Sequence, residues 1–129
     1  MSVEPREQAV YHPFVEISGL PFSEAVEAGP FLILAGQIGT GADGKLVAGG
    51  VAEETRQAMS NIRRVLERHG SSLDRVVKMT VMMADMAEWA EMNAEYVRFF
   101  DEHLPARSAF GSSGLALGAR VEIECTALR

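Results

Sequence analysis

Cysteine is almost absent. Cys125 is the whole complement, so no internal disulfide can form and no cysteine-based zinc site can be assembled. Histidine is sparse as well: His12, His69 and His103 are scattered without metal-ligand spacing, which leaves no sequence case for a metal. Positive charge is in the minority, with 12 Lys and Arg against 18 Asp and Glu and a net charge of −6. Nucleic-acid binders carry a basic stripe, and none is evident here, so the balance argues against nucleic acid as a partner. No apolar run approaches the ~20 residues that a membrane-crossing helix needs, and the first residues show no basic-then-apolar leader pattern. The expected location is therefore the cytoplasm, with no membrane partner. A phosphate-cradling loop is missing too, because Gly39-Thr40-Gly41 is followed by no helix at the required spacing.

What is present fits one domain. The chain has 129 residues, 47% hydrophobic and 23% charged, enough for a single core over residues 1–129. No internal linker or low-complexity stretch interrupts it. Residues 1–13 are polar and contain Pro5 and Pro13, which predicts a loosely ordered or surface-lying N-terminal segment.

Hydrophobic period divides the chain. Residues 14–18 alternate and predict an edge strand. Residues 31–35 are continuously apolar, Phe31-Leu32-Ile33-Leu34-Ala35, and predict a central strand covered on both sides. Asp43-Gly44 is a hairpin-turn signal, so the opening third is expected to be a β-meander. The period then changes. Val51, Thr55, Ala58, Met59, Ile62, Val65 and Leu66 form one helical stripe, with Gly70 as its left-handed cap. Residues 74–84 predict a strand. Asp85 with Glu88 has capping-box spacing for a second helix, whose stripe is Trp89, Met92, Asn93, Tyr96, Phe99 and Phe100 and which Pro105 ends. Trp89, Phe99, Phe100 and the methionines 79, 82, 83, 86 and 92 are expected in the core. Two strands close the chain. In the last, Val121, Ile123, Cys125 and Ala127 share one face, and Glu122, Glu124 and Thr126 share the other.

The expected fold is α/β (α+β): a single mixed sheet with two helices packed on one face. The other face is left carrying apolar side chains, which predicts self-association into a closed symmetric assembly. If the last two strands form a hairpin turning at Gly114-Leu115, Arg107 and Glu122 lie opposite each other. A guanidinium at Arg107 suits bidentate carboxylate binding, or a surface ion pair. Glu122 and Glu124 cannot be told apart on pattern. Asn93, a polar residue on an apolar stripe, either ties its helix to a neighbouring backbone or serves a pocket.

Five motifs then occur in order over residues 20–128: Pro21-Phe22-Ser23-Glu24-Ala25-Val26, Ala35-Gly36-Gln37-Ile38, Asn93-Ala94-Glu95-Tyr96 with Phe99-Phe100, Pro105-Ala106-Arg107-Ser108, and Val121-Glu122-Ile123-Glu124. Together they resemble the RidA (YjgF) family of reactive-intermediate imine deaminases. The resemblance implies a chorismate-mutase-like fold assembled as a homotrimeric barrel with three inter-subunit sites. It implies hydrolysis of 2-imino acids, or their enamine tautomers, to 2-oxo acids and ammonia, with a small carboxylate substrate and no metal or organic cofactor. By the same resemblance Arg107 holds the substrate carboxylate and Glu122 positions water and moves protons. Gly36 and Asn93 line the pocket. Three substrate-binding positions depart from the family: Phe22 for its tyrosine, Ala35 for its serine and Ala109 for its cysteine. Each departure removes a polar atom. Two alternatives follow: a catalytically weak carboxylate-binding or regulatory member, and an endoribonuclease or translation inhibitor, a role the net charge disfavours.

Overall fold

The structure is a computed structural model that describes residues 8–129. Its first strands form in chain order: β1 (Val10–His12), β2 (Ala25–Ala28) and β3 (Phe31–Leu34) pair antiparallel as neighbours, giving the expected meander. The last strand, β7 (Val121–Leu128), lies inside the sheet. Along one edge it pairs β3 and then the short β4 (Gln37–Ile38); along the other it pairs β5 (Val76–Met83). β6 (Ala106–Gly111) adds to β5 in parallel and forms the sheet edge. The sheet is thus mixed, in the order β1-β2-β3-β7-β5-β6.

Two helices pack on one face. α1 (Val51–Arg68) buries every residue of the predicted stripe. Its end is a Schellman turn: the Ser71 amide donates to the Leu66 carbonyl (2.8 Å), the Gly70 amide to that of Glu67 (3.1 Å), and Gly70 stands at φ 81°. That conformation is open to glycine and costly for other residues. α2 (Trp89–Tyr96) is the crossover between the parallel strands β5 and β6, which no tight turn can join. Met92 and Tyr96 of α2 enter the same core as Ile62 and Leu66 of α1 and Met79, Val81, Val121 and Ile123 of the sheet. Each fully buried side chain of this kind contributes roughly 1.5–3 kcal/mol.

Two buried polar residues fix where β4 meets β7. The Asn61 amide of α1 donates to the carbonyls of Ile38 (3.1 Å) and Thr40 (2.9 Å). The Glu54 carboxylate accepts the Arg120 backbone amide at 2.8 Å, just before β7 begins. These bonds satisfy groups that would otherwise be orphaned away from water.

Several expectations are corrected. Residues 14–18 form no strand, because the Val15 amide donates to the Glu24 carboxylate (3.3 Å) instead of to a ladder. A strand lies earlier, at Val10–His12, and Pro13, lacking an N–H, ends it; the rest of the expectation for residues 1–13 falls mostly on residues 1–7, outside the described residues. β3 is covered on one face only within the chain: Leu32 and Leu34 are buried, while Phe31 and Ile33 are exposed. The last two strands form no hairpin, since β5 runs between β6 and β7 and bonds to both. Asp85 does cap, accepting the Ala87 amide at 2.9 Å, but a 3-10 turn (Met86–Glu88) comes before α2. The Glu88 carboxylate turns to the Arg120 guanidinium at 2.7 and 3.0 Å rather than back to the cap. α2 stops at Tyr96, well before Pro105, and passes into a 3-10 turn (Val97–Phe99). Met79, Met83 and Met92 are core residues, whereas Met86 and Trp89 are exposed.

Candidate active site: an acid on one face, a cation on the other

Glu122 sits on the helix-free face of β7. It is opposite Ile38 of β4 on one side and Met82 of β5 on the other. Its carboxyl group packs directly against Gly36: a Cβ built on that glycine would lie 2.1 Å from Glu122 Oε2. Gly36 is thus the residue whose missing side chain makes room for the acid. Half-burial raises the Glu122 pKa above its ordinary value, and the nearby charge of Glu124 pushes the same way. Glu124 itself is exposed. Structure therefore separates the two acids that pattern leaves equivalent.

Arg107 sits on the opposite face of the sheet. It is in register with Met79, which is in register with Cys125, so Arg107 belongs to the row that faces the helices. At the sheet edge its guanidinium lies over the rings of Tyr96 (4.7 Å from Cζ to the ring centre) and Trp89 (5.6 Å). Within one chain, then, the geometry does not bring Arg107 and Glu122 together. The expected juxtaposition fails because an inserted β5 changes both the neighbour and the spacing.

The remaining candidates divide between these two centres. Gly36 belongs with Glu122. Ala35, half-buried, directly follows β3, and its amide donates to the Glu24 carbonyl (3.0 Å). Phe22 is exposed and meets Phe14 edge to face, ring centres 5.5 Å apart. Asn93 and Ala109 belong with Arg107. Ala109 lies two residues along the same face of β6 and packs on the core. Asn93 lines a cleft of about 470 Å³ with Tyr96, Val97, Leu104, Pro105 and Arg107. Its Oδ1 and the Tyr96 hydroxyl are buried there without a hydrogen-bond partner among the described residues. Burial pushes the Tyr96 phenol up to about 12, opposed by the charge of Arg107 and by the approach of one of its N–H donors toward the hydroxyl, short of a formed hydrogen bond.

Cys125 is buried beside Met79, as alternation predicts, and burial pushes its thiol up to about 12, which leaves it inert as a nucleophile. Among the described residues no group of three or more His, Cys, Asp or Glu could hold a metal ion, and no helix is long and apolar enough to cross a membrane. Sequence reasoning missed the aromatic setting of Arg107. The available signal was the spacing of Trp89 and Tyr96, seven residues or two helical turns apart on one face of α2.

Comparison with known proteins places this geometry in context. The sequence model of the family described as Endoribonuclease L-PSP matches residues 15–129. Protein HMF1 of Saccharomyces cerevisiae is 42% identical over 106 residues, covering 82% of this chain and 82% of that protein. The 2-iminobutanoate/2-iminopropanoate deaminase of Mus musculus is 40% identical over 110 residues, covering 84% of this chain and 82% of the mouse protein. Among solved structures, E. coli TdcF with bound serine superposes with a TM-score of 0.81 at 29% identity, covering 92% of this chain and 94% of TdcF. The chain belongs to the endoribonuclease L-PSP family, the YjgF/RidA family that its motifs resemble.

Proposed function

We propose that this protein hydrolyses 2-imino acids, or their enamine tautomers, to 2-oxo acids and ammonia. The observation that carries the reading is the Glu122 carboxyl seated against Gly36, half-buried and with a raised pKa. The deaminase name of relatives about as long as this chain, and the serine bound to TdcF, support a small carboxylate ligand.

The chemistry asks for little more than the residues supply. Water adds to the carbon of the C=N bond as Glu122, starting as the carboxylate, takes a proton from it. The same group returns a proton to nitrogen. As the carbinolamine collapses to the 2-oxo acid, Glu122 takes the hydroxyl proton and passes it to the amine nitrogen, and the C–N electron pair leaves with ammonia. A carboxyl with a raised pKa suits both transfers, because its proton is neither too tightly nor too loosely held. Arg107 holds the substrate carboxylate through charge-assisted hydrogen bonds. Phe22, Ala35 and Ala109 offer no side-chain polar atom to the substrate, so we expect apolar side chains on it to be favoured.

Because Arg107 and Glu122 face opposite sides of one sheet, we further propose that the complete site forms between copies, with Arg107 from one protomer and Glu122 from the next in a closed homotrimer. The exposed Phe31, Ile33, Phe110 and Leu128 on the helix-free face support burial against another copy. A cytoplasmic location is part of the same proposal, in keeping with a lone, unbridged cysteine, and fractionation of cells expressing the tagged chain tests it.

The experiment is release of 2-oxo acid from imines generated in situ by an amino-acid oxidase. We expect rates well above spontaneous hydrolysis, lost in Arg107→Ala. Carboxylate binding without turnover would favour the regulatory reading. RNA cleavage surviving both Arg107→Ala and repeated purification would favour the endoribonuclease reading.

A further inference from the structure

Among the described residues most arginines reach a side-chain carboxylate. Arg56, Arg64, Arg68, Arg98, Arg120 and Arg129 all do. Arg63 and Arg75 do not, and Arg63 lies over the single ring of Phe99, 5.3 Å from its centre. Arg107 forms no such pair among the described residues and lies instead over two aromatic rings. The difference matters because a guanidinium has two chemistries. Its flat faces are attracted to ring quadrupoles, while its N–H donors radiate in its plane. An arginine fixed by rings is restrained without committing those donors to an internal anion.

The two rings are not equivalent. Tyr96 is 5% exposed and part of the core, so its position is set by packing. Trp89 is 41% exposed at the first position of α2 and can be changed without opening the core. The cleft beside them is walled largely by Ala90, Val97, Leu104 and Pro105. Apolar walls weaken solvent screening and strengthen both the ring contacts and any anion contact.

We infer that Trp89 and Tyr96 are positioning residues for the carboxylate-binding arginine: they hold the Arg107 guanidinium by its faces and leave its in-plane donors to a substrate carboxylate. The inference rests on the role given to Arg107 above. It assigns Trp89 a function that its place on an apolar stripe hides.

The test uses the full-length protein with Trp89→Ala and Trp89→Phe. With an imino acid as substrate, we expect Trp89→Ala to raise KM roughly five- to tenfold with kcat changed less than about twofold, and Trp89→Phe to restore most of the loss. The melting temperature should stay close to that of wild type. Trp89 is also the only tryptophan of the chain. Its emission should change saturably as 2-oxobutanoate is added, and Arg107→Ala should flatten that response. An unchanged KM in Trp89→Ala, or emission blind to a saturating carboxylate, overturns the inference. The two readings fail separately. Hydrolysis that persists with a neutral Trp89→Ala sinks only the positioning role. If the wild type hydrolyses no imine, the dissociation constant of 2-oxobutanoate for wild type and Trp89→Ala decides the positioning role on its own: weaker binding in the variant sustains it and equal binding overturns it.

Discussion

Gly36 and the carboxyl group of Glu122 share one volume. A methyl group at residue 36 would stand 2.1 Å from Glu122 Oε2, and the next nearest atoms, at 3.0 and 3.1 Å, also belong to that side chain. The obstructing group is therefore the far end of a flexible side chain and not backbone. Gly36 needs no left-handed conformation either. Gly36→Ala should fold with nearly wild-type stability and yet displace the acid. We expect kcat/KM to fall at least about a hundredfold, since misplacing a catalytic group by an ångström costs that much. A double variant, Gly36→Ala with Glu122→Gln, should be little worse than Glu122→Gln alone, because both changes remove the same group. Steady-state kinetics alongside thermal melts checks both statements.

Gly39 provides the contrast. A Cβ there would meet the Glu54 backbone at 2.6 and 2.7 Å, where nothing can swing aside. Gly39→Ala should thus destabilise the fold by about 1–3 kcal/mol through overpacking, visible as a lower denaturation midpoint.

The pH profile should carry the signature of Glu122. Burial raises its pKa, and Glu124 adds to the shift. If the carboxylate form starts the reaction, the acid limb of kcat/KM inflects above the usual glutamate range, and Glu124→Gln moves that inflection down. Stability has the opposite sign. A carboxyl whose folded pKa exceeds its unfolded value weakens the fold once pH passes above the unfolded value, and it has no effect where both states are protonated. Glu122→Gln should therefore stabilise the protein at neutral pH, with the gain vanishing on acidification below the unfolded pKa. Melting curves across pH test the second half, and kinetics the first.

Glu24 is almost wholly buried and accepts from the Arg68 guanidinium at 2.5 Å, tying β2's approach to the end of α1. Removing the cation would strand a buried negative charge. Arg68→Ala should cost about 3 kcal/mol, measured by chemical denaturation, and more than Arg64→Ala, whose contact with exposed Glu16 is 3.7 Å long.

Local signals in this sequence were readable where one period or one cap decides the outcome. The α1 stripe, the Gly70 turn and the alternation of β7 all follow from spacing within a few residues, and the structure reproduces each. Pairing was not readable in the same way. Nothing between Arg107 and Glu122 in the chain announces that β5, from thirty residues earlier, intervenes. Trp89 misled for a related reason: a ring on an apolar stripe looks like core until the cation beside it, eighteen residues later in the chain, is located. Glu122 and Glu124 shared a face on pattern, and only the missing side chain at Gly36, on another strand connection, distinguishes them.

The central claim is that one chain supplies the cation and another the acid, since a single sheet turns them to opposite faces. Mixed assemblies test it most directly. Arg107→Ala and Glu122→Gln should each be nearly inactive alone. Co-expressed in equal amounts and purified as one population, they should regain about a quarter of wild-type activity, because one interface in four then joins an intact Arg107 to an intact Glu122 if three identical interfaces assemble at random. Activity in the mixture no higher than that of the two variants apart would contradict the account.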